Sequence, residues 1–344
     1  MPLRNVAALV FCLLLSSVAT SRSMAQAIEQ KSVTIAVGGV TGQMDKLPLA
    51  VAVRLGYFKQ EGLDVQAIDF NSGAKGLEAL VGGSADVAQN AYEHIPELQA
   101  KHVMLTSFTM FSRYPANVLM IPKSSVASFH GIADLKGKTI GISSPGSATQ
   151  SFFALVLKKN GMTLDCCSYI GVGTGPTAIA AMRAGKLDAL VTLDPNTTIM
   201  DNAGDVKILA DSRNAAGTRE YYGGDDQVGT LLAKTEWIKA HPNTVQAMAN
   251  AMAHALQFLA KSTPDQIVDA MPKEYWMGDR ELYKKVVINN LPSFLWDGLG
   301  NDEAARNAFN SVAQLEPALQ QAKIDYSKTY TNEFQIKANQ KYPR

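Results

Sequence analysis

The sequence predicts an α/β protein with two lobes, each based on a parallel sheet, joined by a two-strand hinge with a ligand cleft between them. Three observations support this prediction. Buried strands alternate with short amphipathic helices, which is typical of βαβ units. The chain of 344 residues is long for a single hydrophobic core. The order of strands and turns in residues 33–88 recurs roughly a hundred residues later, which indicates an internal repeat.

Composition narrows the range of functions. The chain is 47% hydrophobic and 18% charged, as expected for a globular protein rather than a disordered one. The formal net charge is +1, and the sequence contains no basic block. This balance argues against a nucleic-acid partner.

The N-terminus reads as a secretory signal peptide at residues 1–25. Arg4 gives a positive start, Val6 to Leu15 form a short apolar run, and Ser23 to Ala25 provide a small-x-small cleavage site. The apolar run is too short to cross a bilayer, and no later stretch is long and apolar enough to do so. The sequence therefore predicts a soluble exported protein, with cleavage near Ala25.

The first half begins with a strand, a Gly-rich polar turn and a helix that starts at Pro48. A second strand, a turn at 71–75, a short helix and a third strand follow. The predicted strands of this half are Val33–Val37, Val65–Phe70 and Ala85–Ala88, and residues 89–93 are predicted to form a turn.

The second half opens with the most informative stretch of the chain. Thr139 to Ile142 read as a buried strand, and a hydroxyl-rich turn follows. Ser147 and Gln150 fit a capping box at the start of a helix that ends at Gly161. A strand that leads into a helix start places backbone N–H groups and hydroxyls together, and this suits a small polar or anionic ligand.

The repeat and the extended stretches between its halves define the domains. Residues 172–190 align with residues 70–88, with Gly and Asp at matching positions. Ser107 to Met120 read as a crossover, and Asn214 to Gly229 as the polar return. We expect lobe I at 28–112 and 222–344, lobe II at 117–211, and hinges near 107–117 and 208–224. Helices are predicted from Asn243 and over Pro264–Met271, Asp279–Asn290 and Asp302–Leu315.

Ligands of open α/β sheets bind at the carboxyl ends of the strands. The turns expected there carry uncharged donors, namely Thr41, Gln43, Ser72, Asn90, Ser147, Thr149 and Thr174, and Tyr92 as a candidate aromatic wall. Among charged residues, Lys46, Lys75 and Arg113 could meet an anion, and Glu93 and Asp194 could meet an amine. Both signs of charge leave room for a zwitterion.

The sequence offers little for catalysis or metal binding. It contains no Gly-x-Ser-x-Gly elbow, no His-Glu-x-x-His and no phosphate loop. The five histidines have no metal-ligand spacing. Cys166 and Cys167 are adjacent, either free or bridged, and do not form a Cys-x-x-Cys motif. We therefore expect no catalytic residue, no metal and no cofactor.

Four motifs carry a resemblance to a known family. They are Gly56-Tyr57-Phe58 with Glu61-Gly62-Leu63, Gly82-Gly83-Ser84-Ala85-Asp86, Leu135-Lys136-Gly137-Lys138-Thr139, and Ala184-Gly185-Lys186-Leu187-Asp188. In this order they resemble the nitrate/sulfonate/taurine-type periplasmic substrate-binding proteins of ABC importers. The resemblance implies a type II periplasmic binding fold whose lobes close over a small molecule for delivery to a membrane permease. It also implies a monomer with ligand contacts at Gln43, Ser72, Asn90, Ser147, Ala148, Thr149, Thr174 and Asp194.

Other functions remain open at this stage. A related group performs pyrimidine biosynthesis for thiamine on the same fold, which would require a reactive His or Cys and no export signal. A sensing partner of a membrane kinase or chemoreceptor would have the same sequence features as an importer component. Sulfonates, taurine, nitrate, aromatic acids and pyrimidine precursors all remain candidate ligands.

Overall fold

The computed structural model describes residues 27–39, 43–276, 278–313, 315 and 317–343. The predicted signal peptide and the predicted donor Thr41 lie outside these described residues. Ten strands form the framework: β1 (Ser32–Gly38), β2 (Asp64–Phe70), β3 (Val87–Ala91), β4 (Leu105–Met110), β5 (Val118–Pro122), β6 (Thr139–Ile142), β7 (Ser168–Gly171), β8 (Ala189–Thr192), β9 (Val206–Asp211) and β10 (Gly229–Lys234).

The strands form two five-stranded sheets of matching topology. The orders are β2-β1-β3-β10-β4 and β7-β6-β8-β5-β9. In the first sheet β1 is parallel to β2 and β3, and β10 runs antiparallel between β3 and β4. In the second sheet β6 is parallel to β7 and β8, and β5 runs antiparallel between β8 and β9. The internal repeat is thus confirmed in the strand order, and each sheet has one reversed strand.

Strand β3 is longer than the sequence pattern predicts. Residues 89–91 were expected in a turn but belong to the strand. The cause is a long-range partner, because Ala91 pairs with Gly229 and Asn90 with Thr230 at the start of β10. Local sequence contains no trace of this pairing.

In the described part of the chain, fifteen helices surround the sheets. They are α1 (Leu47–Arg54), α2 (Tyr57–Gln60), α3 (Gly73–Gly82), α4 (His94–Ala100), α5 (Ala148–Lys159), α6 (Pro176–Arg183), α7 (Asn196–Asn202), α8 (Ala215–Tyr222), α9 (Thr235–Ala240), α10 (Pro242–Lys261), α11 (Pro264–Ala270), α12 (Arg280–Asn290), α13 (Asp302–Ala313), α14 (Pro317–Gln320) and α15 (Glu333–Lys341). None of those in the described ranges is both long and apolar enough to cross a bilayer.

The C-terminal helices largely cover the first sheet. The predicted helices from Asn243, Pro264, Asp279 and Asp302 are confirmed as α10 to α13. The apolar stripe of α10, with Val245, Met248, Met252 and Leu256, packs in the same core as Ile35 of β1. The second sheet has a separate core around Ile140, Phe152 and Val191.

The chain crosses between the sheets twice. It leaves β4 at Met110 and enters β5 at Val118, and it later returns from β9 to β10. The sequence pattern predicts that this second crossing, Asn214 to Gly229, is polar extended chain. That prediction is wrong for residues 215–222, because they form α8. Asn214 caps α8 by accepting the N–H of Gly217. Tyr222, on the buried side of α8, stacks on Phe152 with ring centroids 5.9 Å apart.

Candidate functional site

A small cavity of about 50 Å³ lies between the two lobes. Its wall combines the carboxyl ends of strands, the starts of α3 and α5, and both crossings. The lining residues are Gly38, Gln43, Asp45, Lys46, Gly73, Asn90, Ala91, His94, Pro115, Asn117, Ser143, Ser147, Ala148, Thr149, Thr174, Leu193, Val228 and Gly229. Equivalent turns of the two repeats therefore converge on one space.

Six of the predicted site residues lie together in this lining: Gln43, Asn90, Ser147, Ala148, Thr149 and Thr174. The side chain of Asn90 is held in place by a backbone group, because its Nδ2 donates to the carbonyl of Gly73 at 2.8 Å. Thr174 is buried, and its Oγ1 has no hydrogen-bond partner among the described residues. A buried hydroxyl of this kind needs a partner, which a bound solute or water would provide.

The start of α5 differs from the predicted capping box. Ser147 is the N-cap residue, but its side chain makes no capping bond. Its Oγ instead donates to the carbonyl of Ser144 at 2.7 Å, and Gln150 accepts the N–H of Gly146. Thr149 accepts the N–H of Ser143. The hydroxyls thus brace the turn, and the Ser147 side chain does not cap the first N–H groups of the helix. A helix start of this kind suits a polar or anionic ligand.

Three of the predicted site residues do not line the cavity. Ser72 caps α3 by accepting the N–H of Lys75, and its Oγ also accepts from Ser144 Oγ of the other lobe at 2.8 Å. Tyr92 does not form a wall of the cavity, because its ring is buried in the core of lobe I and its hydroxyl bonds Thr329. Asp194 is also absent from the lining.

Asp194 is instead the centre of a buried network between the lobes. Its Oδ1 accepts the N–H of Thr198 at 2.8 Å, and its Oδ2 accepts from Arg213 at 3.3 Å and from Asn290 Nδ2 at 2.8 Å. Thr198 lies in α7 of lobe II and Arg213 follows β9 at the return crossing, whereas Asn290 ends α12, whose Val286 packs in the core of lobe I. The carbonyl of Asp194 also accepts the N–H of Met44. These bonds join the lobes beside the cavity.

The cavity contains one of the three candidate cations. Lys46 is buried in the lining and is paired with Asp45, which also lines the cavity. Lys75 is exposed and paired with Glu78, and Arg113 donates to the carbonyl of Pro292. In the described part of the chain no three His, Cys, Asp or Glu side chains come together as metal ligands.

His94 is a lining residue that sequence reasoning missed. It is 4% exposed, and its Nδ1 lies 2.8 Å from Oε2 of Glu97. Burial by itself would lower the pKa of His94, but the hydrogen bond and the charge of Glu97 outweigh it and raise the pKa. The one sequence signal was its position just after a predicted cleft turn.

Glu93, next to His94 in the chain, and Asp226 are buried carboxyl groups that interact with each other. Burial raises the pKa of Glu93 to about 7, with the neighbouring His94 opposing this shift. Burial, followed by the charge of Glu93, raises the pKa of Asp226 well above its usual range. Each has one oxygen without a hydrogen-bond partner among the described residues.

Because the pKa of Glu93 is raised in the folded protein, the free energy of unfolding should depend on pH. The folded protein keeps the Glu93 proton up to about pH 7, whereas the unfolded chain releases it near 4.5. Stability therefore falls as the pH rises from about 4.5 to 7 and stays lower above that. We expect Glu93→Gln to raise the free energy of unfolding by about 1–3 kcal/mol at pH 8, with little change at pH 5.

Urea unfolding at the two pH values measures the effect. Glu236→Gln, at an exposed site in α9, is the control and should leave both values unchanged. A Glu93→Gln variant that is less stable than the parent at pH 8 would contradict the prediction.

Comparisons with known proteins are consistent with this geometry. Residues 43–267 match the family described as NMT1/THI5 like. A solved structure from Bordetella bronchiseptica RB50 is 38% identical, covers 93% of this chain and 100% of that one, and superposes with a TM-score of 0.90. The alkanesulfonate-binding protein SsuA from Xanthomonas axonopodis pv. citri, bound to MOPS, is 20% identical over 87% of this chain and 96% of its own, with a TM-score of 0.68.

An enzyme is also among the relatives. The 4-amino-5-hydroxymethyl-2-methylpyrimidine phosphate synthase of Aspergillus parasiticus is 24% identical over 300 residues, which are 83% of this chain and 82% of the enzyme. The family match spans well over half of the chain, and the two sheets have the arrangement of the solved binding proteins. The chain therefore belongs to the NMT1/THI5-like family and has the periplasmic binding protein fold of ABC importer components.

Proposed function

We propose that this protein is the periplasmic receptor of an ABC importer and closes its two lobes over a small polar or anionic organic solute. One observation supports this above all: the starts of α3 and α5, one from each repeat, line the same cavity. Two lobes that share a cavity can couple solute binding to closure, because a solute that contacts both lobes favours the closed arrangement.

The proposed solute contacts come from both lobes. Gln43 and Asn90 contribute amides from lobe I, and Ser147 to Thr149 and Thr174 contribute hydroxyls and helix-start N–H groups from lobe II. The buried Lys46 supplies a cation. We assign Ser72 and Asp194 to the contact between the lobes and not to the solute, because their side chains bond residues of the opposite lobe.

The relatives support the proposed partners and location. Solved proteins of this fold include a sulfonate-binding protein and a periplasmic nitrate-binding protein. We infer delivery to membrane permease subunits, export with cleavage near Ala25, and a monomeric receptor. Secretion of the full-length chain followed by mass analysis of the mature N-terminus tests the export step.

A thermal-shift screen tests the receptor function. The panel contains ethanesulfonate, taurine, nitrate, benzoate and a hydroxymethylpyrimidine. A solute that binds only the folded protein raises the melting temperature, by an amount equivalent to about 2.7 kcal/mol at a hundred times Kd. Small-angle scattering with the same solute should show compaction. If no member of the panel produces either change, the receptor function fails.

A second function has one specific observation in its favour. The pyrimidine phosphate synthase relative and the cavity-lining His94 together fit a thiamine-pyrimidine binding protein or a biosynthetic enzyme with a reactive histidine. Prolonged incubation with pyrimidine precursors, followed by chromatography of the solution and mass analysis of the His94 peptide, distinguishes these cases. The receptor returns its solute unchanged and keeps an unmodified peptide, whereas an enzyme forms a product or alters the histidine.

A further inference from the structure

His94 is a titratable side chain in the cavity wall to which the receptor function gives no role. It begins α4 and is buried in the lining on the lobe I side. Its Nε2 atom has no hydrogen-bond partner among the described residues. A buried ring nitrogen without a partner costs free energy, so a group in the cavity that bonds to it gains correspondingly.

The bond on the other side of the ring fixes which nitrogen titrates. Glu97 Oε2, a carboxylate oxygen that can only accept, lies 2.8 Å from Nδ1. The proton on Nδ1 is therefore held in both charge states of the ring. Gain or loss of the second proton takes place at Nε2. A rise of pH through the pKa of His94 thus converts Nε2 from a donor to an acceptor.

The charges around the imidazole favour the donor state. They are Glu93, Glu97 and Lys101 near the ring, and Lys46 and Asp45 elsewhere in the lining. Lys46 is paired with Asp45, so its effect on the ring is offset. Glu97 dominates among the charges, and the pKa of His94 lies above its usual value even though burial opposes this.

The other groups at the cavity wall suit the same kind of partner. The start of α5 offers backbone N–H groups and the positive end of a helix dipole, and the buried Thr174 hydroxyl can donate. A carboxylate or sulfonate accepts from all of these donors, because its oxygens carry several lone pairs. An amine would instead meet the imidazolium and the helix end as like charges.

We propose, on the basis of the receptor function above, that His94 is a specificity-determining residue whose Nε2–H donates to an acidic group of the solute. The cavity thereby selects carboxylate- or sulfonate-bearing solutes over neutral molecules of the same shape. Binding takes up one proton whenever His94 is neutral in the empty protein. Affinity consequently weakens by up to about tenfold per pH unit above the pKa of the empty site.

Paired probes test this selection. Calorimetric titrations use benzoate with benzamide and ethanesulfonate with ethanesulfonamide between pH 5.5 and 8.5, each in two buffers of different ionisation enthalpy. We expect the acid of at least one pair to bind more tightly than its amide, with Kd rising at alkaline pH and with proton uptake. The two pairs show whether the acidic group is a carboxylate or a sulfonate.

Three variants assign the effect to the imidazole. His94→Gln keeps a neutral donor and should flatten the pH profile, with a loss of about tenfold in affinity at pH 6. Glu97→Gln removes the negative charge beside Nδ1 and should move the profile to lower pH. His130→Gln, at an exposed histidine of lobe II, is the matched control and should reproduce the parent profile.

The outcomes separate this inference from the receptor function. If a solute binds but its pH profile is unchanged in His94→Gln, or if the amide binds as tightly as the acid, the inference is wrong and the receptor function stands. If no solute of any class binds, both the inference and the proposed receptor function are wrong. An NMR spectrum of the empty protein that shows neutral His94 protonated on Nε2 would also overturn the inference, without any ligand.

Discussion

Replacing Asp194 with alanine is expected to lower the free energy of unfolding by about 3–4 kcal/mol. The carboxylate is fully buried and accepts three hydrogen bonds. Its removal leaves the amide of Asn290 and the N–H of Thr198 without their acceptor, and it deprives Arg213 of one of its two carboxylate partners. Because Arg213 keeps its pair with Asp211, the cost lies at the lower end of the range for broken buried ion pairs.

Urea denaturation followed by circular dichroism measures this loss. Asp205→Ala is the matched control, because Asp205 forms a half-exposed pair with Arg183 within lobe II and should cost about 1 kcal/mol or less. Equal stabilities of the two variants would show that the network around Asp194 does not hold the lobes together.

Replacing Thr174 with phenylalanine is expected to abolish the melting-temperature increase produced by the solute. The buried side chain lines the cavity, so a phenyl ring fills the space that the solute needs and removes the hydroxyl. A solute at a hundred times Kd contributes about 2.7 kcal/mol to the parent protein, and the variant should gain nearly none of this. The empty variant should remain folded, since Thr174 lines the cavity between the lobes and does not belong to the hydrophobic core of either one.

Thr177→Phe provides the control for this experiment. Thr177 lies three residues further along, is exposed, and donates to the carbonyl of Val172. Its variant should keep the full response to the solute. A Thr174→Phe protein that still responds would place the solute elsewhere. A bulky residue at Ser147 should have the same effect, but there it also breaks the bond to Ser144.

The fold could be predicted from the sequence because its signals are local. Strand β6 and helix α5 follow from an apolar run, a hydroxyl-rich turn and a helical stripe, and all three are visible within residues 139–161. The internal repeat then predicts an equivalent strand–turn–helix unit in the other lobe. Six of the predicted residues line the cavity, and those at the start of α5 lie where the end of a parallel strand leads into a helix, which is a predictable position.

The errors concern side chains whose surroundings come from distant parts of the chain. Tyr92 follows β3, and only its contact with Thr329 shows that the ring points into the core. Asp194 lies in a predicted cleft turn, but Asn290, almost a hundred residues away, occupies its carboxylate. His94 was missed for the same reason, since no pattern near it indicates that it lines the cavity.

The reversed strand of the first sheet has a consequence for biosynthesis. Strand β4 pairs within that sheet only through β10, which the ribosome makes after the whole of the second sheet. During translation the second sheet can be completed while β4 still lacks its neighbour. Lobe I is therefore the first lobe to be synthesised in part and the last to be completed. A nascent chain stalled before Gly229 exposes β4 without its neighbouring strand.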